Sequence, residues 1–204
     1  MMLERTLFQF MKLACQVEIA QIKWLDAAIR LGIFIAVFEA LLPLPVAIAV
    51  LAITASLLLY RFTLWYPMQG LRQLDTGVMY VVCLGLIASL YLECFRLAGM
   101  LHVVGDVATH VFTLLSMGLV MAAMMIRIAQ GHTARNIVFT ASDKAAIWLA
   151  GLDGVVRIVL PQLWPQQYEN FVLFAALSWG ICFLLLGWRL IPFLFQPRLD
   201  GKES

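Results

Sequence analysis

The chain has 204 residues, of which 63% are hydrophobic and only 13% are charged. Soluble domains are about one quarter charged, so this composition excludes a soluble globular protein and indicates an integral membrane protein. The formal net charge of +2 is too small to predict a nucleic-acid partner. The predicted partner is the lipid bilayer, and the positions of the charges matter more than their sum.

The N-terminal segment, residues 1–24, predicts an amphipathic helix that lies in the membrane interface or is the remnant of a larger helical unit. Lys12 interrupts its apolar stretch before that stretch is long enough for a secretory signal. Apolar residues instead recur on one helical stripe: Leu3, Leu7, Phe10, Met11, Ala14 and Val17. We therefore divide the chain into this interfacial segment, a transmembrane domain at 25–195 and a cytoplasmic tail at 196–204.

Apolar runs that can cross a bilayer occur six times. A helix rises about 1.5 Å per residue, so a core of about 30 Å takes roughly 20 residues, or 17 at the short end. The runs lie at about 27–42, 45–61, 75–96, 106–128, 144–160 and 170–193. Pro43 and Pro45 separate the first two, which therefore predict a helical hairpin. The predicted fold is an all-α membrane protein with six transmembrane helices.

The distribution of basic residues predicts that both termini are cytoplasmic. With six spans, 12 of the 14 lysines and arginines fall on the side of the termini, against Arg96 and Arg157 on the other. Positive residues accumulate in cytoplasmic loops, so we predict a multi-pass protein with both ends in the cytoplasm. The fourth helix then places His132 at the cytoplasmic face and His110 near the outer face. They lie 22 residues apart, about 33 Å along a helix, and cannot share a metal ion.

The fourth span ends in the sequence QGHTAR, residues 130–135. On a structural reading, Gly131 takes the left-handed conformation that ends the helix, and Arg127, His132 and Arg135 place positive charge beside its unpaired carbonyls. On a functional reading, His132 is an axial ligand of haem or a ligand of copper. Arg127 and Arg135 then neutralise haem propionates or another anion. The spacing leaves both readings open.

His110 is a second candidate ligand, because an ionisable side chain inside a span is a functional hypothesis by default. Asp106, four residues earlier, can hold one ring nitrogen and leave the other for a metal or haem iron. The alternative is an interhelical hydrogen bond, for instance to Glu93 or Asp153. His102, in the outer loop, is expected to be solvated.

Other polar residues in the spans allow a transport reading. Asp153 and Arg157 are expected to pair at i, i+4, and a transporter or channel would use them with Glu39 and Glu93 to line a path.

The chain has no P-loop, HExxH or GxSxG motif, so no catalytic constellation identifies it as an enzyme. We interpret the four scattered cysteines as packing thiols: Cys15, Cys83, Cys94 and Cys182.

Three stretches of the sequence carry a family resemblance. The stretch THVFTLLSMGLVMAAMMIRIAQGHTARNI resembles the signature region of the NnrS family, in which a histidine-bearing helix leads into a GHTGR-type motif. The ending QPRLDGK resembles the tail of that family, and WLDAAIRLG with the following hairpin also fits. The resemblance runs from about Gln16 to Lys202, and the pairing of QGHTAR with PRLDG is its most specific part.

The resemblance implies a haem- and copper-containing membrane protein of the nitric-oxide response in denitrifying and pathogenic bacteria. Haem is the first expectation and copper the second. His110 and His132 match the family's histidines in this half, and they are the implied ligands. Ala134 replaces the second glycine of the usual motif.

The chain also departs from the family pattern. Members have about twelve spans and a WHxHE-type cluster in their N-terminal half, whereas this chain resembles the C-terminal half alone. It therefore works either by itself, or as a non-enzymatic half that needs a separately encoded N-terminal half or a homo-oligomer to complete its metal sites. A small transporter or channel is the other alternative.

Overall fold

A computed structural model of the chain describes residues 22–65, 71, 74–197 and 199, without the side chains of residues 74 and 75. The regular structure in these residues is helical throughout. The chain divides into two compact units, Met1–Phe112 and Thr113–Ser204, and each is described by itself. Nearly all of the predicted interfacial segment at 1–24, and most of the predicted tail at 196–204, lie outside the described residues.

The helices are numbered here in chain order. They are α1 (Lys23–Ala36), α2 (Leu44–Thr63), α3 (Leu74–Leu97), α4 (Val107–His132), α5 (Ala141–Leu163) and α6 (Tyr168–Leu194). Short 3₁₀ turns occupy Glu39–Leu41 and Pro165–Gln167. Within α4, the segment Val111–Gly118 is a π-helix between two α-helical parts.

Within the described residues, five helical segments are long and apolar enough to cross a membrane. They are Leu44–Thr63, Thr76–Leu97, Val107–His132, Ala141–Leu163 and Pro165–Leu194. They agree with five of the six predicted runs and confirm an all-helical, polytopic membrane protein.

The predicted span at 27–42 differs from the others. Helix α1 ends at Ala36 after 14 residues, a length of about 21 Å, which is short of a bilayer core of about 30 Å. A turn and the 3₁₀ segment Glu39–Leu41 then lead to Pro43, the N-cap of α2. The apolar run continues to residue 42, but the helix does not, so hydrophobicity alone overstated its length.

In the first unit, α1 and α2 pack as an antiparallel pair, as the predicted hairpin requires. A side chain at Gly32 would overlap Thr54, so the glycine permits a close approach of the two helices. Toward the other end of the pair, Arg61 Nε lies 3.0 Å from Asp26 Oδ1. The guanidinium of Arg61 also lies 5.6 Å from the Trp65 ring. The close approach at Gly32 and the ion pair between Asp26 and Arg61 tie α1 to α2 although α1 is short.

Helices α2 and α3 are joined by polar and aromatic contacts along their length. Ser56 Oγ and Tyr91 Oη are 2.9 Å apart. One end of the pair holds the rings of Phe62 and Tyr80 edge to face, with centroids 5.7 Å apart. This is the packing of consecutive antiparallel helices.

In the second unit, α5 and α6 also run antiparallel. Arg189 forms an ion pair with Asp143, and Cys182 Sγ donates to the carbonyl oxygen of Ala146 at 3.2 Å. Asp143 also closes a capping box at the start of α5, where Thr140 N donates to Asp143 Oδ2 at 2.9 Å. One buried carboxylate therefore fixes both the beginning of α5 and its register against α6.

The cysteines within the described residues are buried. Cys83, Cys94 and Cys182 are free thiols, in agreement with their interpretation as packing residues. Cys15 lies outside the described residues.

Candidate functional site

The candidate site is built around the C-terminal end of α4, in the second unit. The helix continues through His132, with Thr133 as its C-cap. Ala134 then adopts φ of 56°, its N–H donates to the carbonyl of Gly131 at 3.2 Å, and the N–H of Arg135 donates to the carbonyl of Gln130 at 2.9 Å. These two hydrogen bonds are those of a Schellman motif.

This geometry corrects the sequence prediction for Gly131. The left-handed residue is Ala134, whereas Gly131 remains inside the last turn of the helix. A Schellman motif places its left-handed residue two positions after the last helical residue, and the helix extends one residue past the glycine. Ala134 is also where the family resemblance expects a glycine, so this chain has an alanine where left-handed backbone is required.

The loop after the motif is held by the side chain of Gln130, which is buried. Its amide nitrogen donates to the carbonyl of Val138 at 3.1 Å, and its amide oxygen accepts from the N–H of Val138 at 2.7 Å. Thr133 is buried as well, and its hydroxyl donates to the carbonyl of Ala129 at 2.8 Å. The loop at 133–138 is therefore fixed from both ends.

Arg135 extends from this loop toward the end of α6. Its Nη2 donates to Gln196 Oε1, and its guanidinium lies 4.5 Å from the Phe193 ring centroid. Its Nη1 is buried and has no hydrogen-bond partner among the described residues. Arg135, three residues after His132, therefore has one N–H group, Nη1, that donates to no described residue.

Arg127 lies one turn before Gln130 on α4 and is only 5% exposed. Its guanidinium is 6.0 Å from the centroid of the Phe139 ring, within range of a cation–π interaction. The second unit therefore places Arg127, His132 and Arg135 at one helix end, as predicted. Of these three, only His132 is fully at the surface.

His132 has an exposed side chain in the last turn of α4. Its imidazole has no hydrogen bond or ion pair within the part of the chain that the structure describes. Exposed apolar residues precede it at helical spacing: Met117, Met121, Met125 and Ile128. His132 thus ends an apolar face of α4, with both ring nitrogens available.

His110 belongs to the first unit, and the structure therefore divides the predicted histidines between the two units. It is half-buried and is the last residue before the π-helical segment of α4. Such segments occur often at functional sites, because the wider turn displaces backbone groups from their usual partners.

Asp106 caps a helix. Its hydrogen bond to a ring nitrogen of His110 stays a prediction. Asp106 is the N-cap of α4: Oδ1 accepts from the backbone N–H of Thr109 at 3.1 Å, and Oδ2 accepts from its hydroxyl at 2.6 Å. These hydrogen bonds lower the pKa of Asp106. The carboxylate is therefore ionised as a helix cap.

The predicted pairing of Asp153 with Arg157 is wrong. Arg157 Nη2 donates to Tyr168 Oη at 2.8 Å, and its guanidinium lies over that ring at 4.8 Å. Asp153 is fully buried, and its Oδ1 has no hydrogen-bond partner among the described residues. The i, i+4 spacing allowed the pair, but Tyr168 across the turn between α5 and α6 offers Arg157 both a hydroxyl and a ring.

No group of three or more histidine, cysteine, aspartate or glutamate side chains within the described residues is arranged to hold a metal ion. Sequence reasoning also missed Gln130, which holds the loop of the site, and the Asp143–Arg189 pair, which fixes α5 against α6. The TASD capping pattern at 140–143 gave a signal for Asp143. No feature of the neighbouring sequence indicated that the Gln130 side chain would hydrogen-bond to the backbone of Val138, eight residues later.

Comparison with known proteins gives one finding. The family described as NnrS protein matches residues 1–198. No curated protein and no solved structure matches the chain. The match covers nearly the whole sequence and agrees with the resemblance of the QGHTAR and PRLDG segments. The chain therefore belongs to the NnrS family.

Proposed function

We propose that this protein is a haem-binding membrane protein of the nitric-oxide or nitrosative-stress response, in which His132 would be a ligand of the haem iron. The observation that carries this proposal is membership of the NnrS family over residues 1–198. The proposed role requires no catalytic turnover, since binding of nitric oxide is sufficient for a protective or sensing role. The bound haem would supply an iron centre that takes nitric oxide as a ligand.

The chemistry of His132 fits such a group. An axial ligand must present a free imidazole nitrogen, and the ring of His132 is exposed without a protein partner in the described residues. The apolar face before it, residues 117–128, offers the surface that a porphyrin edge requires. A haem iron needs at most two axial ligands, whereas copper needs two or three ligands close together. Haem is therefore favoured, and copper is the second candidate.

Arg135 and Arg127 have different parts in this proposal. Arg135 holds its position through Gln196 and Phe193 and keeps Nη1 as a donor for an anionic oxygen such as a propionate. Arg127 is buried beside Phe139, so it contributes positive charge rather than an exposed contact. His110 is proposed as a separate ligand in the first unit.

A second version of the proposal is that another chain completes the site. The exposed position of His132 favours it, because a group bound there would be contacted from outside this chain as well. The second chain would be a separately encoded N-terminal half or another copy of the protein. Co-purification of a membrane partner that raises the haem content would support this version.

The membrane arrangement is part of the same proposal. We propose six membrane segments, with α1 contributing to the first of them and both termini in the cytoplasm of the bacterial inner membrane. The distribution of 12 basic residues against two supports it. Reporter fusions at the termini and at the loop at 98–106 test the orientation.

The experiment for the function is growth under nitric oxide. Cells lacking the chromosomal copy receive the wild-type protein, His132→Ala or His102→Ala, and the amounts in the membrane are matched by immunoblot. We expect the wild type and His102→Ala to restore growth in the presence of a nitric-oxide donor, and His132→Ala to fail. Full tolerance with His132→Ala, or no benefit from the wild type, would overturn the proposal.

A further inference from the structure

The first unit contains a cavity of about 360 Å³ that the haem proposal does not use. It lies at the end of the unit where α2 begins, α3 ends and α4 begins. Its walls are mainly apolar and include Leu51, Leu86, Leu90 and Phe112. A cavity of this size with apolar walls and a few convergent polar groups is typical of a site for a small organic ligand.

The polar groups of the cavity are three carboxyl groups and one guanidinium: Glu39, Glu93, Asp106 and Arg96. Arg96 is already neutralised, because its Nε donates to Glu93 Oε2 at 2.8 Å and its Nη2 donates to Glu93 Oε1. Asp106 is ionised as the N-cap of α4. The fixed charge of the cavity is therefore negative before Glu39 is counted.

Glu39 lies on the 3₁₀ turn before α2, half-buried and within hydrogen-bonding reach of Glu93. A hydrogen bond between two carboxyl groups requires that one of them carries a proton. Burial, and then the neighbouring charge of Glu93, raise the pKa of Glu39, while Arg96 lowers it and Asp106 raises it further. Glu39 thus holds its proton more tightly than an ordinary glutamate does.

We infer that this cavity binds an amphipathic organic cation, with Glu39 as its counter-ion and the apolar wall with Phe112 receiving its hydrocarbon part. Negative charge in a low-dielectric cavity attracts a cation, and an aromatic ring adds a cation–π contact. Within the described residues the carboxylates do not form a group that could hold a metal ion. An inorganic cation also needs more oxygen ligands than an apolar wall supplies.

The cation and the proton then compete for Glu39. When the cation enters, the proton leaves Glu39 to water, and charge is conserved in the cavity. Affinity for the cation is therefore highest above the raised pKa of Glu39 and falls as the pH is lowered through it. This exchange is independent of haem and of His132.

The test is equilibrium dialysis of radiolabelled benzyltrimethylammonium against the full-length protein in a neutral detergent. We expect saturable binding to the wild type and an affinity at least about tenfold lower for Glu39→Gln, which corresponds to about 1.4 kcal/mol. Glu39→Asp keeps the charge and is expected to bind more tightly than Glu39→Gln. Glu169→Gln, at an exposed position on α6, is the matched control and is expected to bind like the wild type.

A second variant separates loss of the site from loss of the fold. Leu90→Trp fills the cavity without changing its charge, and it is expected to abolish binding while helical content and elution volume stay as in the wild type. Absence of saturable binding to the wild type would overturn the inference. Equal affinity of Glu39→Gln and the wild type would also overturn it, as would equally tight binding of the anion phenylacetate.

Discussion

The backbone N–H of Arg135 donates to the carbonyl oxygen of Gln130 at 2.9 Å, and this hydrogen bond closes the last turn of α4 over Ala134. Ala134 must therefore adopt φ of 56°. This conformation costs an L-residue with a side chain about 1–2 kcal/mol, whereas glycine adopts it without this cost. The helix end is thus held by its hydrogen bonds against a local backbone cost.

We expect Ala134→Gly to stabilise the protein by about 0.5–1 kcal/mol, because the relief of left-handed strain exceeds the greater unfolded-state entropy of glycine. Thermal unfolding in detergent, followed by tryptophan fluorescence, measures the change. Ala145→Gly, at an exposed position inside α5, is the control and should lower stability by about 1 kcal/mol. If both glycine variants are destabilised alike, Ala134 is not the left-handed residue.

Gln130→Leu is expected to destabilise the second unit by about 2 kcal/mol, because it leaves both the N–H and the carbonyl of Val138 without their partner. Urea unfolding in mixed micelles provides the measurement. Gln166→Leu replaces an exposed glutamine and should change stability by less than about 0.5 kcal/mol. Equal stability of Gln130→Leu and the wild type would show that the amide does not hold the loop.

The cap of α4 gives a pH-dependent prediction. Hydrogen bonds from Thr109 lower the pKa of Asp106 in the folded protein. The ionised cap therefore stabilises the fold above the ordinary aspartate pKa, and this contribution is lost as the pH falls through the lowered value. At neutral pH, Asp106→Ala should cost about 1 kcal/mol.

The stability difference between the wild type and Asp106→Ala should shrink as the solution is acidified. Asp106→Asn, which keeps a side-chain acceptor, should lose less than Asp106→Ala at neutral pH. A difference that stays constant down to strongly acidic pH would contradict the role of the charged cap.

The ion pair between Asp26 and Arg61 should matter more than a surface pair, because Arg61 is only 2% exposed. Asp26→Asn takes a close negative charge away from this buried guanidinium, and we expect it to cost about 3 kcal/mol. The double variant Asp26→Leu with Arg61→Met removes both charges and should recover much of that loss. A double variant no more stable than Asp26→Asn would show that packing, not charge, dominates.

Hydropathy predicted well the five described helices that are long and apolar enough to span a membrane, because about 20 apolar residues in a row have few other stable uses. It failed at α1, where the apolar run passes through a turn that hydropathy does not detect. The sequence analysis placed the end of α4 too early, because it assigned the left-handed position to Gly131, glycine being the usual occupant, whereas the structure has it three residues later at Ala134. The left-handed conformation of Ala134 could not be predicted from its residue type, because alanine seldom adopts it.

Sequence analysis predicted only the residues of the candidate site that lie close together along the chain. Arg127, His132 and Arg135 do lie at one helix end, since they share the last turns of α4 and the loop after it. The partners of these residues, Phe139, Phe193 and Gln196, come from other elements and had no signal in the sequence. The failure of the Asp153–Arg157 pair has the same origin, because Tyr168 is close only in the folded chain.

The measurement that tests the central proposal most directly is the absorption spectrum of the purified protein after reconstitution with haem. His132→Gly and His102→Gly are measured beside the wild type, each with and without added imidazole. We predict a Soret band in the wild type and in His102→Gly, its loss or shift in His132→Gly, and its restoration there by imidazole. A wild type without a Soret band, or a His132→Gly spectrum identical to that of the wild type, would contradict the assignment of His132 as a haem ligand.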